Sequence, residues 1–240
     1  MIISHKYKYV YIEVPHTGST AIAAELIENY EGISVLKKHS LYIDYMRCAD
    51  KSEKKYFAFS GIRNPLDEAV SVYLKIKGNH KGNYTNPRKL VKNGGFIAPK
   101  DIGKYQYVVN GNATFSDYLL RYYKKPFDNI NCLSAHHMKS IIRFENLASD
   151  FYCVIKALGV DPVRRLPLVN KTEGKSCFID YYDNKEVVKR AVEIFGPFMN
   201  KWGYSFPDQW GDVKVTLMSL VKFKIYENLR KIYYLRGYHI

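Results

Sequence analysis

The sequence has few cysteines, and their spacing does not suit a metal site or a disulfide framework. Cys48, Cys132, Cys153 and Cys177 lie far apart and form no Cys-x-x-Cys pair. Structural zinc sites are usually built from such pairs, and small secreted domains rely on dense disulfides. The spacing therefore predicts reduced thiols and no structural metal.

The chain also lacks a long apolar run. A membrane-spanning helix needs about 18 or more consecutive apolar residues, and no such stretch is present. The first residues, MIISHKYKYVYIEV, are interrupted by Lys and Tyr, so they lack the apolar centre of a signal peptide and predict a strand instead. We therefore expect a cytoplasmic protein without a transmembrane segment.

Acidic residues are scarce relative to basic ones. The 240 residues include 23 Asp and Glu against 37 Lys and Arg, a formal net charge of +14. This positive field favours anionic partners such as nucleotides, phosphate, sulfated glycans or acidic lipids, without selecting among them. A hydrophobic fraction of 47% is ordinary for a globular protein of this length and predicts one domain.

Three segments share the pattern of a strand, a tight turn and a helix. They are YKYVYIEVPHTGSTAIAAELIENY, KYFAFSGIRNPLDEAVSVYLKIK and SIIRFENLASDFYCVIKALGV. The predicted helices begin after Ser19, after Asn64 and at about Asn146, where apolar residues start to recur at helical spacing. Strands that alternate with helices predict an α/β fold whose parallel sheet is covered on both faces.

A long segment with little periodicity interrupts this pattern. Residues 78–112 are rich in Gly, Asn, Lys and Tyr. Loops of this length in compact domains are usually lids or binding loops, and an insertion without a role is the alternative. We expect a lid or binding loop inside a domain that covers residues 1–212.

The tail, residues 213–240, predicts an amphipathic basic helix. Its apolar stripe consists of Leu217, Val221, Ile225, Leu229 and Ile232. Most such helices dock on their own domain, which is the expectation here. A subunit contact and attachment to a membrane surface stay open as alternatives.

The first turn, PHTGST, has the composition of an anion-binding loop. In open parallel sheets, ligands bind beyond the carboxyl ends of strands, where helix amino termini present unpaired N–H groups. Gly18 lets the backbone turn tightly, and Thr17, Ser19 and Thr20 add hydroxyl groups. The first Gly and the Lys of the GxxxxGK[ST] loop are missing, which favours a nucleotide that reacts without magnesium-bridged phosphates.

Two of these segments resemble motifs of one enzyme family. VPHTGSTAI resembles the 5'-phosphosulfate loop, Pro-Lys-Thr-Gly-(Ser/Gly)-Thr, of sulfotransferases that use 3'-phosphoadenosine 5'-phosphosulfate (PAPS). GIRNPLDEAVSVYLK resembles that family's 3'-phosphate segment, an Arg after a strand and a Ser eight residues later. The resemblance covers roughly residues 7–200 through short motifs and implies a P-loop NTPase-like fold, a three-layer sandwich with a central parallel sheet.

The resemblance also implies which residues bind PAPS. Residues 16–20 would bind the 5'-phosphosulfate, and Arg63 and Ser71 the 3'-phosphate, since Arg forms bidentate charge-assisted bonds. An Arg63 that only caps neighbouring carbonyl groups is the alternative. The segment LPLVNKTEGK falls where related enzymes have a loop over the cofactor. The implied contacts are His16, Thr17, Gly18, Ser19, Thr20, Arg63, Ser71, Asn170, Lys171 and Thr172.

A third segment implies the catalytic base. LKKHSLYIDYM is similar to the GHVSYLDF type of segment in the heparan sulfate 2-O-sulfotransferase group, whose His takes the proton from the sugar hydroxyl. That His corresponds to His39. A neutral imidazole, whose ordinary pKa is about 6.5, can accept such a proton. A surface His that only precedes Ser40 is the alternative.

His16 departs from the family pattern, which normally has Lys at this position to stabilise charge on the leaving phosphate. His16 can donate a hydrogen bond there, but it carries a positive charge only when protonated. Three interpretations stay open: a working enzyme with His16 as a second catalytic residue, a slow enzyme, or a binding protein. We expect the first, because the other anion-binding positions are present.

The sequence therefore predicts an enzyme that moves a sulfuryl group from PAPS to a hydroxyl of a carbohydrate or glycosylated acceptor, without a metal. Tyr and Lys side chains near residues 82–107 suit an anionic glycan. A nucleotide kinase or hydrolase would need ATP with magnesium. A non-enzymatic binder of nucleic acid or an anionic polymer has no use for the ordered Gly, Arg and Ser set, so no nucleic-acid partner is expected.

Overall fold

The computed structural model describes residues 1–129, 134–135, 137–167 and 174–235. Its strands are β1 (Ile2–Ser4), β2 (Tyr9–Ile12), β3 (Ile33–Ser34), β4 (Phe57–Ile62) and β5 (Ser140–Arg143). Its helices are α1 (Ser19–Asn29), α2 (Tyr42–Cys48), α3 (Pro65–Lys77), α4 (Pro99–Val109), α5 (Phe115–Tyr122), α6 (Leu147–Ala157), α7 (Lys185–Trp202) and α8 (Leu217–Leu235).

The chain divides into two compact units, each built from separate stretches of sequence. The first unit comprises Met1–Asn64, Asp128–Lys171 and Arg230–Ile240, as far as the structure describes them. The second comprises Pro65–Phe127 and Thr172–Leu229, with the same restriction. The peptide bond between Asn64 and Pro65, just after β4, is one of the points where the chain passes from one unit to the other.

The first unit contains a five-stranded mixed sheet in the order β3-β1-β2-β4-β5. The strands β2, β4 and β5 run parallel, which confirms the predicted α/β class and its parallel centre. The strand β1 runs antiparallel to both of its neighbours. The amino-terminal segment therefore forms a hairpin, where the sequence had predicted one strand, and Lys8 with a φ of 51° completes the turn.

Helices flank both faces of this sheet. Alternate residues of a strand point to opposite faces, so Tyr9 and Tyr11 pack on one side and Val10 on the other. The first face shares a core with α1 and α6, including Phe151. The second face shares a core with α2 through Tyr45. This is a layered α/β arrangement, with the carboxyl ends of β2, β4 and β5 at one edge.

The second unit is mainly helical. Its core is formed by α3, α4, α5 and α7, with Leu66, Tyr73, Val108 and Phe195 among its buried residues. The helix α4 lies inside the segment 78–112, where the low periodicity predicts a lid or binding loop and no helix. Gly103 and several polar residues hide its periodicity, but Val108 is buried and fixes the helix to the core. Within the described ranges, every helix is too short or too polar to cross a membrane.

Candidate functional site

The turn between β2 and α1 (residues 13–18) leaves backbone donors available at the start of a helix. His16 and Gly18 both adopt left-handed backbone conformations, with φ values of 65° and 77°. The helix α1 then begins at Ser19, and among the described residues no side chain caps its first turn. The first bonds of the helix run from the N–H groups of Ala21 and Ile22 to the carbonyl of Gly18, so the N–H groups of Ser19 and Thr20 lie outside them. These two groups and the helix dipole favour an anion.

Gly18 is required by its surroundings as well as by its backbone conformation. A Cβ atom at this position would lie 2.8 Å from Cδ2 of Leu147, at the start of α6. Residues with a Cβ atom are also disfavoured at a φ of 77°, the value of Gly18. The turn is therefore packed closely against α6, which fixes the direction of the backbone N–H groups.

Thr17 and Ser19 support the turn from inside. The hydroxyl of Thr17 donates a hydrogen bond of 2.8 Å to the carbonyl of Val14, and Thr17 is only 1% exposed. Its side chain packs over Gly61 of β4, where a Cβ atom would lie 2.6 Å from Thr17 Oγ1. Ser19 is also buried, so the exposed side chains of this loop are those of His16 and Thr20.

A buried phenol lies beneath the same turn. Among the described residues, the hydroxyl of Tyr11 has no hydrogen-bond partner, and Tyr11 is fully buried. Burial raises the pKa of Tyr11, Glu13 adds to the rise, and the hydroxyl of Thr17 opposes it. Tyr11 therefore remains neutral, and the groups that shift its pKa belong to the β2–α1 turn.

The segment before α2 brings His39 to this turn. Nδ1 of His39 lies 2.9 Å from the carbonyl oxygen of Glu13. A carbonyl oxygen can only accept, so Nδ1 carries the hydrogen, and the basic lone pair of the neutral ring is on Nε2. Burial lowers the pKa of His39 below 6.5, although the bond to Glu13 opposes that change. The imidazole is therefore neutral near pH 7 and able to accept a proton at Nε2.

Lys38 is a cation at this site that the sequence did not single out. Its Nζ donates a hydrogen bond of 3.2 Å to Oγ1 of Thr20, in the first turn of α1. The only sequence feature that points to Lys38 is its position next to His39 in the segment LKKHS. Nothing in that pattern shows that the segment reaches α1. Lys38 thus places an ammonium group beside the N–H groups of the loop.

Arg63 contacts the β2–α1 turn directly. Its NH1 group donates a hydrogen bond of 3.0 Å to the carbonyl oxygen of His16. The guanidinium group lies 4.0 Å from the ring centroid of Phe144, and Arg63 is 6% exposed. Arg63 therefore holds the turn in place, as expected of an Arg that caps a carbonyl group. It also puts a positive charge next to the turn, so it is equally compatible with binding a phosphate.

Ser71 lies in the second unit, on α3. It is fully buried, and its hydroxyl accepts a hydrogen bond of 2.9 Å from Nζ of Lys175. Lys175 also forms an ion pair with Asp67. Lys175 is a second cation missed in the sequence, where it ends the segment NKTEGK. The role of Ser71 in binding a 3'-phosphate stays a prediction.

Three predicted cofactor contacts, Asn170, Lys171 and Thr172, lie outside the described residues. His137 stacks on Tyr42, with a distance of 5.3 Å between ring centroids. In the part of the chain that the structure describes, no three His, Cys, Asp or Glu side chains come together as metal ligands.

The described part of the first unit thus gathers backbone donors, two cations and a neutral imidazole around one turn. The side chains involved are those of Lys38, His39 and Arg63. No protein-family model, no curated protein and no solved structure matches the chain. The chemistry of the site is therefore argued from these contacts.

Proposed function

We propose that the chain is a sulfotransferase that moves a sulfuryl group from PAPS to a hydroxyl of a carbohydrate or glycosylated acceptor. The observation that carries the proposal is the position of His39, a neutral base whose tautomer is fixed, beside a turn suited to an anion. A base next to a phosphate-type loop suits transfer to a hydroxyl group. The P-loop NTPase-like assignment of the fold and a cytoplasmic location belong to the same proposal.

The residues present fit a phosphosulfate. Its negative oxygens would meet the N–H groups at the start of α1, the ammonium of Lys38 and the side chain of His16. Arg63 would add positive charge from behind the turn. The carboxylate nearest in sequence, Glu13, is 4% exposed and so lies largely withdrawn from an anion on the surface. Donors and cations therefore prevail at this turn.

The residues of the chain would divide the reaction between them. PAPS, when bound, supplies an activated sulfuryl group joined to a phosphate leaving group. His39 would take the proton of the attacking hydroxyl at Nε2, while the carbonyl of Glu13 holds the ring in place. Lys38 and the N–H groups of α1 would stabilise negative charge on the departing phosphate. Lys38 would thereby supply the positive charge that His16 carries only when protonated.

The 3'-phosphate contacts, Arg63 and Ser71, are a separate part of the proposal. In the second unit, Lys175 adds a cation next to Ser71, and Asp67 offsets part of its charge. A phosphate that bonds to Ser71 would compete with Asp67 for Lys175. This contact is therefore expected to be weaker than the one at the β2–α1 turn.

The proposal is tested by the thermal stability of the protein with adenosine 3',5'-bisphosphate and, separately, with ATP and magnesium. A ligand at a hundredfold excess over its Kd stabilises the folded state by about 2.7 kcal/mol, or roughly 5–10 °C in Tm for a chain of this size. We expect that increase with the bisphosphate and not with ATP and magnesium. Stabilisation by ATP and magnesium alone would indicate a kinase or hydrolase and contradict the proposal.

A transfer assay then identifies the acceptor. The protein is incubated with PAPS labelled in its sulfuryl group and with glycans that carry free hydroxyl groups. Label in a glycan product is the expected result. If the bisphosphate binds but no hydroxyl-bearing acceptor is labelled, the protein is a binder of the nucleotide and the enzymatic proposal fails.

A further inference from the structure

The helix α8 exposes its apolar stripe. Within the second unit, Leu217 is 76% exposed, Met218 63%, Val221 46%, Ile225 52% and Leu229 56%. These residues recur at intervals of three and four, so they form one continuous face along more than three turns of helix. We call this face, defined by the five residues, the apolar face of α8.

The opposite face of α8 packs against the protein. Ser219 and Glu227 are 2% exposed, and Phe223 is 6% exposed. Nζ of Lys201, on α7, donates a hydrogen bond of 2.5 Å to Oε1 of Glu227. This partly buried ion pair lies on the face of α8 that packs against α7. The expectation that the apolar stripe docks on its own domain therefore does not describe residues 217–229.

Lysines border the apolar face on both sides. At 100° per residue, Lys222 lies on one side of the stripe and Lys224 on the other, and both are exposed. The only acidic residue in α8 is Glu227, whose carboxylate is buried against Lys201 and also pairs with Lys224. The exposed surface of this helix is thus apolar in the centre, basic at its borders and almost free of negative charge.

Apolar surface continues beyond the helix. Met218 also lines a cavity of about 900 Å³ in the second unit. Other residues on its wall include Val188, Val192, Trp210 and Val213. The wall also carries charged side chains, among them Lys189 and Glu193. Contiguous exposed apolar surface on a protein often marks an interaction site.

We propose that the apolar face of α8 binds the surface of an anionic lipid bilayer, with the helix lying parallel to the membrane. Leu217, Val221 and Ile225 would enter the boundary between head groups and acyl chains. Lys222 would extend its aliphatic stem along the helix and bring its ammonium group to anionic head groups, and Lys224 would exchange its ion pair with Glu227 for a head group. The net charge of +14 adds attraction over a longer range.

A second copy of the chain suits this face less well. Two copies joined through it would bring the bordering lysines of one near those of the other, because both copies carry the same charges. The exposed surface of α8 offers no second carboxylate to pair with them. Like charges that are brought together without an opposite charge between them disfavour association of the two copies. An anionic bilayer has the complementary charge.

The test is cosedimentation of the whole chain with vesicles of phosphatidylcholine, with and without phosphatidylserine. We expect binding to the vesicles that contain phosphatidylserine, little binding to phosphatidylcholine alone, and a decrease as salt is raised. Val221→Glu should weaken binding by more than about tenfold, since it puts a charge into the inserted face. Lys222→Gln should weaken it by about fivefold.

Val91→Glu is the matched control. Val91 is 53% exposed, close to the 46% of Val221, and also lies in the second unit, but outside α8. Both substitutions affect exposed side chains, and circular dichroism melts should show equal folding. No binding to vesicles with phosphatidylserine, or an equal loss in both variants, would overturn the proposal. The proposal would also be overturned if vesicles fail to bind and sedimentation velocity shows a dimer that Val221→Glu abolishes.

Discussion

The β2–α1 turn and the turn between β4 and α3 share one pattern of strand, turn and helix but use their backbone donors in opposite ways. In the first turn, no side chain of the part of the chain that the structure describes caps the N–H groups of the helix. In the second, the N–H of Asn64 donates a hydrogen bond of 2.7 Å to the carboxylate of Glu145, and Pro65 has no N–H. The first turn thus offers N–H groups to an anion, whereas in the second the N–H of Asn64 is already bonded. The pattern predicts a turn, whereas the partners of its donors decide its chemistry.

The largest expected effect is the loss of kcat when the imidazole at the first turn is removed. His39 bonds to Glu13, at the first turn, so His39→Ala should lower kcat by about 10²–10⁴-fold if the imidazole is the base. Stabilisation by adenosine 3',5'-bisphosphate should be retained. His5→Ala, which removes an exposed imidazole elsewhere in the first unit, is the control. Equal turnover in both variants would remove His39 as the base.

The pH dependence sharpens the same assignment. The base acts when neutral, and burial lowers the pKa of His39 below 6.5. The value of kcat/KM should therefore rise with pH, with a midpoint below pH 6.5, and stay constant at higher pH. The slope on the acid side should be about tenfold per pH unit for a single group. A midpoint above neutrality would contradict the geometry described here.

Replacement of Gly18 tests whether the first turn is held by α6. Gly18→Ala should lower the free energy of unfolding by about 2–4 kcal/mol, from the left-handed backbone and the contact with Leu147. Gly94→Ala is matched, because Gly94 has a φ of 80° and, among the described residues, no atom lies within 4 Å of its Cβ position. It should cost only about 1–2 kcal/mol. Urea unfolding measures both, and equal losses would mean that Leu147 moves aside freely.

Lys38→Ala tests the cation beside Thr20. Loss of one electrostatic contact with the leaving group should lower kcat by about tenfold, equivalent to about 1.4 kcal/mol. Lys37→Ala is the control, since only the backbone carbonyl of Lys37 has a described contact, with the N–H of Ser40. Steady-state kinetics with PAPS would compare the two. A similar decrease in both variants would point to general charge loss instead.

The smallest effect concerns the second turn. Glu145 is exposed, so water can replace it at the N–H of Asn64, and Glu145→Ala should cost about 0.5–1 kcal/mol of stability. Glu145→Gln keeps an oxygen acceptor and should cost less. Chemical denaturation measures the stability, and the affinity for adenosine 3',5'-bisphosphate should not change. A changed affinity would show that this turn also takes part in binding.

The local elements of the fold were predictable from the sequence. The helix starts at Ser19 and Pro65 and the strand end at Ile62 follow from Gly and Pro positions and from apolar periodicity. The hairpin of β1 and β2 was missed, because the sequence HKYK contains neither Gly nor Pro to mark its turn.

The contacts within the site were less predictable. Motif residues identified the turn, Arg63 and His39, but the contact between Lys38 and Thr20 joins residues 18 positions apart. Such contacts depend on how the segment before α2 folds back, which no local pattern specifies. Periodicity likewise found the stripe of α8 but not its direction, since the packing of Phe223 and Glu227 on the opposite face is a long-range contact.

The strand β3 ends the sheet of the first unit on one side and is only two residues long, Ile33–Ser34. An edge strand presents unpaired backbone groups that can recruit a strand from another molecule. So short an edge offers few such groups, although Ile33 is 49% exposed. The brevity of β3 is thus a safeguard against fibrous aggregation, and lengthening it with Val or Ile would be expected to remove that protection.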